Sequence, residues 1–213
     1  MNKGVKKLLL VFILSLGSLM AFAGTEITLA YQNQPFVFWK LDDYPVKINS
    51  SVPASALIDF NFFFSDENPT IDVGINTGLC FGTGKTKLKL TIENESESEK
   101  IKYQVFDLNL GVAVRYNFNE MHSITALPRL VGVLGWYGES HYPNIGALGL
   151  GLDAMYNFWF LNTDTLSLGL SGGLGLTIPI IGFVDMGDMG EESHHGVEGK
   201  FSLGLSIEFG RNW

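Results

Sequence analysis

The sequence predicts an all-β protein, an eight-stranded antiparallel transmembrane up-and-down β-barrel. Three observations carry that prediction. After residue 50, apolar residues alternate with small or polar ones in seven stretches of about 11 to 13 residues, the period of a half-buried strand at a length suited to a bilayer. The connections between those stretches alternate short and long. No run after residue 23 has 18 uninterrupted apolar residues, so a chain of mean hydropathy +0.19 has no second helix with which to hide its apolar surface.

The elements follow in chain order. Residues 1–23 have the layout of a secretory signal peptide: Lys3, Lys6 and Lys7, an apolar run from Leu8 to Leu19, then the small-x-small site Ala21-Phe22-Ala23. The apolar run is shorter than the roughly 20 residues a membrane-crossing helix needs. Residues 24–213, about 190 in all, form a single barrel domain. Losing the three leader lysines takes the net charge from −8 to −11, which argues against a nucleic-acid binder. Cys80 is the only cysteine, so no internal disulfide forms, and it lies too far from the cleavage site to be a lipid-modified N-terminal Cys.

Residues 24–53 must supply the first strand; EITLAYQ offers Ile27, Leu29 and Tyr31, while PFVFW at 35–39 competes for the role. Then come ASALIDFNFFF, with Ile58, Phe60 and Phe62 opposite Asp59 and Asn61, and TIDVGINTGLCF, with Val73, Ile75 and Leu79 opposite Asp72, Asn76 and Gly78. YQVFDLNLGVAVRYNF sets Leu108, Leu110 and Val112 against Asp107, Asn109 and Arg115. SITALPRLVGVLGW is the least regular, with apolar residues on both faces. ALGLGLDAMYNFWF, LSLGLSGGLGLTI and the closing KFSLGLSIEF alternate cleanly. Eight is the even number a closed antiparallel barrel requires.

The connections read SDENP (65–69), about 83–102, NEMH (119–122), about 137–146, LNTDT (161–165) and about 179–198. Short periplasmic turns opposite long outer loops are the pattern of outer-membrane barrels, and they put both termini on the periplasmic side. Phe62 to Phe64, Tyr116, Phe118, Tyr156 to Phe160 and Phe209 then fall at the short-turn end as one interfacial girdle, with Phe81, Trp136 and Tyr137 at the other.

The face opposite the apolar rows is mainly Gly, Ser, Asn and Asp. A soluble barrel of lipocalin type would show water a face rich in Lys and Glu. Small residues suit instead the narrow lumen of eight strands. That orientation sends Asp59, Asp72, Asp107, Asp153 and Glu208 inward, with Arg115 and Arg129 to pair with them. The set reads as a structural ion network or, alternatively, as a conducting path.

Other motifs yield less. GTGKT at 82–86 lacks the first glycine of a phosphate-binding loop and the helix that should follow. KTKLKLTIE and ESESEKIKYQV, on either side of the 83–102 tip, read equally as a protruding hairpin or as a solvated loop. Asp185, Asp188, Glu191, Glu192, His194 and His195 gather in a loop at 185–196, but their spacing matches no metal cage. For lipid hydrolysis, His122-Ser123 falls at the wrong end and Ser193-His194 lacks an orienting strand. No catalytic, cofactor-binding or metal site is assigned.

The closing segment resembles the terminal insertion signal of bacterial outer-membrane barrels in Ser202, Gly204, Ile207 and Phe209, with Trp213 as an alternative terminal aromatic because four residues follow Phe209. In outline, residues 24–213 are similar to the small eight-stranded barrels grouped around outer-membrane proteins X, A and W. The resemblance implies a barrel surrounded by outer-membrane lipid, inserted as a monomer by the outer-membrane barrel-assembly machinery. Its expected role is surface interaction, adhesion or envelope integrity, with an extracellular partner reached through loops 83–102 and 179–198. A narrow conduit for small or hydrophobic solutes is the alternative, and a lipid-modifying enzyme ranks third.

Overall fold

The computed structural model describes residues 23–41, 46–64, 70–92, 95–137, 145–185 and 191–210. They form eight strands: β1 (Ala23–Leu41), β2 (Val46–Phe64), β3 (Ile71–Ile92), β4 (Glu95–Asn119), β5 (His122–Tyr137), β6 (Ile145–Asn162), β7 (Leu166–Asp185) and β8 (Glu191–Phe209). Each pairs antiparallel with the next, and β8 pairs with β1 to close the ring. Closure leaves no sheet edge inside a membrane, where an unpaired backbone group has no water to bond.

Both candidates for the first strand belong to β1. The strand absorbs them through register irregularities against β2 between Gln32 and Gln34 and between Gln34 and Val37. Pro35, which has no amide proton to give a ladder, lies at that break.

The strands are longer than the sequence pattern suggests. Segments 83–102 and 179–198, expected as long loops, are largely strand: β3 and β4 stay in unbroken register from Ile71↔Tyr116 to Ile92↔Glu95, and β7 and β8 leave only residues 186–190 between them. The period-two pattern simply continues past the apolar band, where ladder pairing between β3 and β4 still satisfies the backbone groups that face each other. Of the acidic and His stretch at 185–196, Asp185 ends β7 and residues 191–196 begin β8, while Asp188 falls outside the described residues.

Apolar rows face outward: Leu110, Leu152, Leu174 and Leu203 are 56%, 62%, 67% and 58% exposed. Polar residues face inward, with Glu26, Asp59, Asp107 and Glu208 all fully buried. This inverts a soluble barrel and places the wall in a bilayer. Ile71 to Phe81, 11 residues tilted near 45°, climb roughly 25 Å, the height of a barrel's apolar band. The aromatic girdle at the short-turn end consists of Phe64, Tyr116, Phe118, Tyr156, Phe160 and Phe209, all exposed. Phe63 and Trp159 turn inward, as does Tyr137 at the other end; in runs such as Phe62-Phe63-Phe64, alternation must send one ring into the lumen.

Candidate functional site: a filled lumen and a protruding hairpin

Near the short-turn end, Arg115 from β4 lies among three carboxylates. Its Nη2 donates to Glu208 Oε1 at 2.7 Å, Nη1 to Glu26 Oε2 at 3.3 Å and Nε to Asp72 Oδ2 at 2.8 Å. Asp72 is its cross-strand register partner, and β1 and β8 bring Glu26 and Glu208 from the seam that closes the ring. The guanidinium carbon stands 3.9 Å from the centroid of the Phe63 ring, a cation–π contact that caps the centre. Asn117 holds Asp72 at 2.9 Å, and Asn157 holds Glu26 at 3.0 Å. Trp159 closes this end of the lumen, donating from Nε1 to Ser123 Oγ at 3.1 Å.

Further along, Arg129 from β5 forms a second centre. Nη1 reaches both Asp59 oxygens and Asn76 Oδ1, each at 3.3 Å, and Nη2 donates to Asp153 Oδ2. Asn76 bonds Asp59 Oδ1 at 3.0 Å and Asn61 Oδ1 at 2.7 Å, so the carboxylate cannot swing away. Between the two centres sits a small apolar cluster of Phe63, Ala113, Leu127 and Met155.

Glycines make room for these side chains. A Cβ at Gly78 or Gly175 would run into Asp59 or Asp153, and one at Gly111 would meet Arg129 and the backbone beside it. The small face is thus the space into which long charged side chains fold.

Beyond Arg129 lies a third pair, Lys200 Nζ at 3.9 Å from Asp107 Oδ2, with Gln34 donating to the same oxygen at 3.2 Å. A second apolar cluster then crosses the lumen: Val37, Val52, Tyr103, Val105, Val131, Val133, Tyr137 and Ile145. It explains why β5 is apolar on both faces. Tyr103 hydroxyl donates to the Ala54 carbonyl at 3.1 Å, tying this plug to β2. A cavity lined by Gln32, Arg129, Asp153 and Lys200 holds only about 10 Å³, room for one water.

The structure thus brings Asp72, Arg115 and Glu208 into one centre and Asp59, Arg129 and Asp153 into another, with Asp107 in a third. Sequence reading missed Glu26, Lys200, Asn76 and the buried Glu198. Lys200 was legible, because it shares the parity of Ser202 and Glu208; Glu26 and Glu198 belong to strand portions whose phase the sequence left open. Ser202 and Gly204 face the lumen side of β8, while Ile207 and Phe209 lie on its outward row; Trp213 falls outside the described residues. His122 and Ser123, adjacent on β5, point to opposite faces, His122 toward Tyr156 and Ser123 toward Trp159, so they do not form a dyad. Side chains 183–195 lie outside the described residues, as do residues 1–22.

At the opposite end β3 and β4 run on past the end of β5, with β2 paired to β3 as far as Val46↔Ile92. Pairing of β4 with β5 begins at Tyr103↔Tyr137, so Glu95–Lys102 has β3 on one side and no described strand on the other.

No family model matches the chain, and no curated protein matches it in sequence. Among solved structures, the outer membrane protein OprG from Pseudomonas aeruginosa superposes with a TM-score of 0.52 at 9% identity, covering 89% of this chain and 97% of OprG. Ail, the attachment invasion locus protein of Yersinia pestis, in complex with the heparin analogue sucrose octasulfate, matches at a TM-score of 0.45 and 14% identity over 88% of this chain and 99% of Ail. Neisserial surface protein A matches at 0.44 and 8% identity over 88% and 96%. The likeness to OprG is one of fold: this chain is an eight-stranded barrel of the outer-membrane kind, and its apolar wall places it in that membrane.

Proposed function

We propose that this outer-membrane barrel is a monomeric, non-catalytic surface protein that works through its hairpin end and not through its lumen. The observation that carries the reading is the filled bore: two arginine centres, a lysine pair and an apolar plug lie in series, and the cavity beside Arg129 is about 10 Å³. Charges paired in this way stiffen a barrel, whereas a conduit needs a continuous wetted path. The lumen residues Asp59, Asp72, Asp107, Arg115, Arg129, Asp153 and Glu208 are structural in this reading. The short turns face the periplasm and the hairpin end faces outward.

Outside, the edge of β4 over Glu95–Lys102, which has no partner strand on its β5 side among the described residues, offers backbone donors and acceptors to an extended segment of a partner by strand addition. Residues 1–23 direct export, and the β8 pattern of Ser202, Gly204, Ile207 and Phe209 is the mark read by the assembly machinery. The test compares cells making the full chain with cells making a chain that lacks residues 85–100. Loss of surface binding and detergent resistance with a still-folded barrel is expected. Unchanged cells, or reproducible conductance through purified protein, would overturn the proposal.

A further inference from the structure

After cleavage at residue 23, an acidic chain carries eight lysines, and their placement is not scattered. Lys200 is buried in the lumen. The other seven, Lys40, Lys47, Lys85, Lys87, Lys89, Lys100 and Lys102, are all exposed. Register puts them on one continuous face. Lys85 pairs with Lys102 and Lys87 with Lys100; Lys89 pairs across β2 with Asn49; Lys47 pairs with both Thr91 and Lys40. This is the outward face of Phe81 and Phe106, which pair four residues below Lys85 and Lys102. Neither β5, β6 nor β7 carries a lysine, and the one lysine of β8 points inward.

Like charges set directly opposite each other destabilise a sheet. Among the described residues no ion pair joins these seven lysines to a carboxylate. Glu95, Glu97 and Glu99 occupy the other face, opposite Ile92, Leu90 and Leu88. The face therefore calls for an external anion. Its height says which: four residues of tilted strand rise about 9 Å above the Phe81–Phe106 pair, at or just beyond the headgroup layer, and lysine stems can bend back toward it.

An apolar groove lies lower on the wall and to one side, sharing β4 with the lysine face. It measures about 430 Å³ and is lined by Phe106, Leu108, Gly132, Leu134, Gly146 and Leu148. Its β4 wall, Phe106 and Leu108, continues upward through Gln104 to Lys102 and Lys100. A similar groove of about 440 Å³ between Leu152, Leu174 and Phe201 has no exposed lysine above it.

We propose that the lysine face and the groove below it are one binding site for a phosphorylated glycolipid of the outer leaflet. Lys85, Lys87, Lys100 and Lys102 take the phosphates, and the Gly132–Gly146 trough takes an acyl chain. The proposal rests on the orientation proposed above, with the hairpin end outward, but not on the lumen or on strand addition.

The test uses the full mature chain in phosphatidylcholine nanodiscs containing either diphosphorylated or dephosphorylated lipid A, with retained lipid counted by native mass spectrometry. The wild type should retain the diphosphorylated form about tenfold over the dephosphorylated one, and a chain carrying K85Q, K87Q, K100Q and K102Q should lose that preference. Those positions lie outside the apolar band, so heat-modifiable migration should be unchanged. Gly132→Leu fills the trough where an added Cβ meets only the Leu108 carbonyl, at 3.9 Å, and should lower retention severalfold while the barrel stays folded. Equal retention by wild type and the four-lysine variant would overturn the site. So would a soluble phosphorylated oligosaccharide that competes fully while Gly132→Leu has no effect, since the ligand would then not be a lipid. Nanodisc binding together with lysines that resist an impermeant amine reagent on whole cells would overturn the outer-leaflet assignment alone.

Discussion

Arg115 shows how little latitude a narrow lumen gives a single residue. It answers Glu26, Asp72 and Glu208 at once, and all but Asp72 are fully enclosed. Arg115→Ala should destabilise the barrel by about 3–5 kcal/mol, because it strands carboxylates with no water to turn to; urea unfolding from lipid vesicles measures this. Arg115→Lys keeps the charge but loses the three-way fork and should fall between the two. Gly175→Ala should cost about 1–3 kcal/mol by the same assay, since the new methyl displaces Asp153 from Arg129; a neutral result would mean the wall yields there. Most of this lumen was legible in the sequence, because strict alternation fixes the face of Asp59, Asp107 or Asp153 once the orientation is chosen. Phe63 and Trp159 share the inward parity of Asp59 and Asp153, but as members of aromatic runs they read as girdle residues.

At the scale of the strand, the phase of β2 to β8 follows from period two, while their ends do not. Alternation marks where side chains point, but the ladder continues wherever backbone groups can pair, so β3 and β4 outrun the apolar band by several residues. β1 was ambiguous because Pro35 and the register breaks around Gln34 interrupt its phase. β8 raises its own question of where the insertion mark ends. Phe209 pairs with both Thr25 and Leu166, and Gly210 follows with φ of 73°, a left-handed turn out of the strand that favours glycine. Among the described residues the last ring in register is therefore Phe209. Phe209→Ala should lower the amount of heat-modifiable protein in outer-membrane fractions several-fold, whereas Trp213→Ala should leave it near the wild-type level; the reverse result would move the mark to the terminal residue.

Taken as a whole, the molecule is a closed barrel whose lumen is filled by paired charges and apolar clusters. The apolar plug of Val37, Val131, Tyr103 and Tyr137 closes one end of the lumen, and Trp159 with the Arg115 centre closes the other. This acidic chain gathers seven exposed lysines onto one face of its rim, with Glu95, Glu97 and Glu99 on the other face of the hairpin. The proposed surface role depends on the bore being shut. Planar-bilayer recording of refolded protein tests that most directly: no stepwise conductance should appear for the wild type, nor after shortening the plug with Tyr103→Ala and Tyr137→Ala together, because Trp159 and the Arg115 centre still close the other end. Reproducible wild-type conductance that disappears on Asp107→Asn would contradict the account and make the lumen a path.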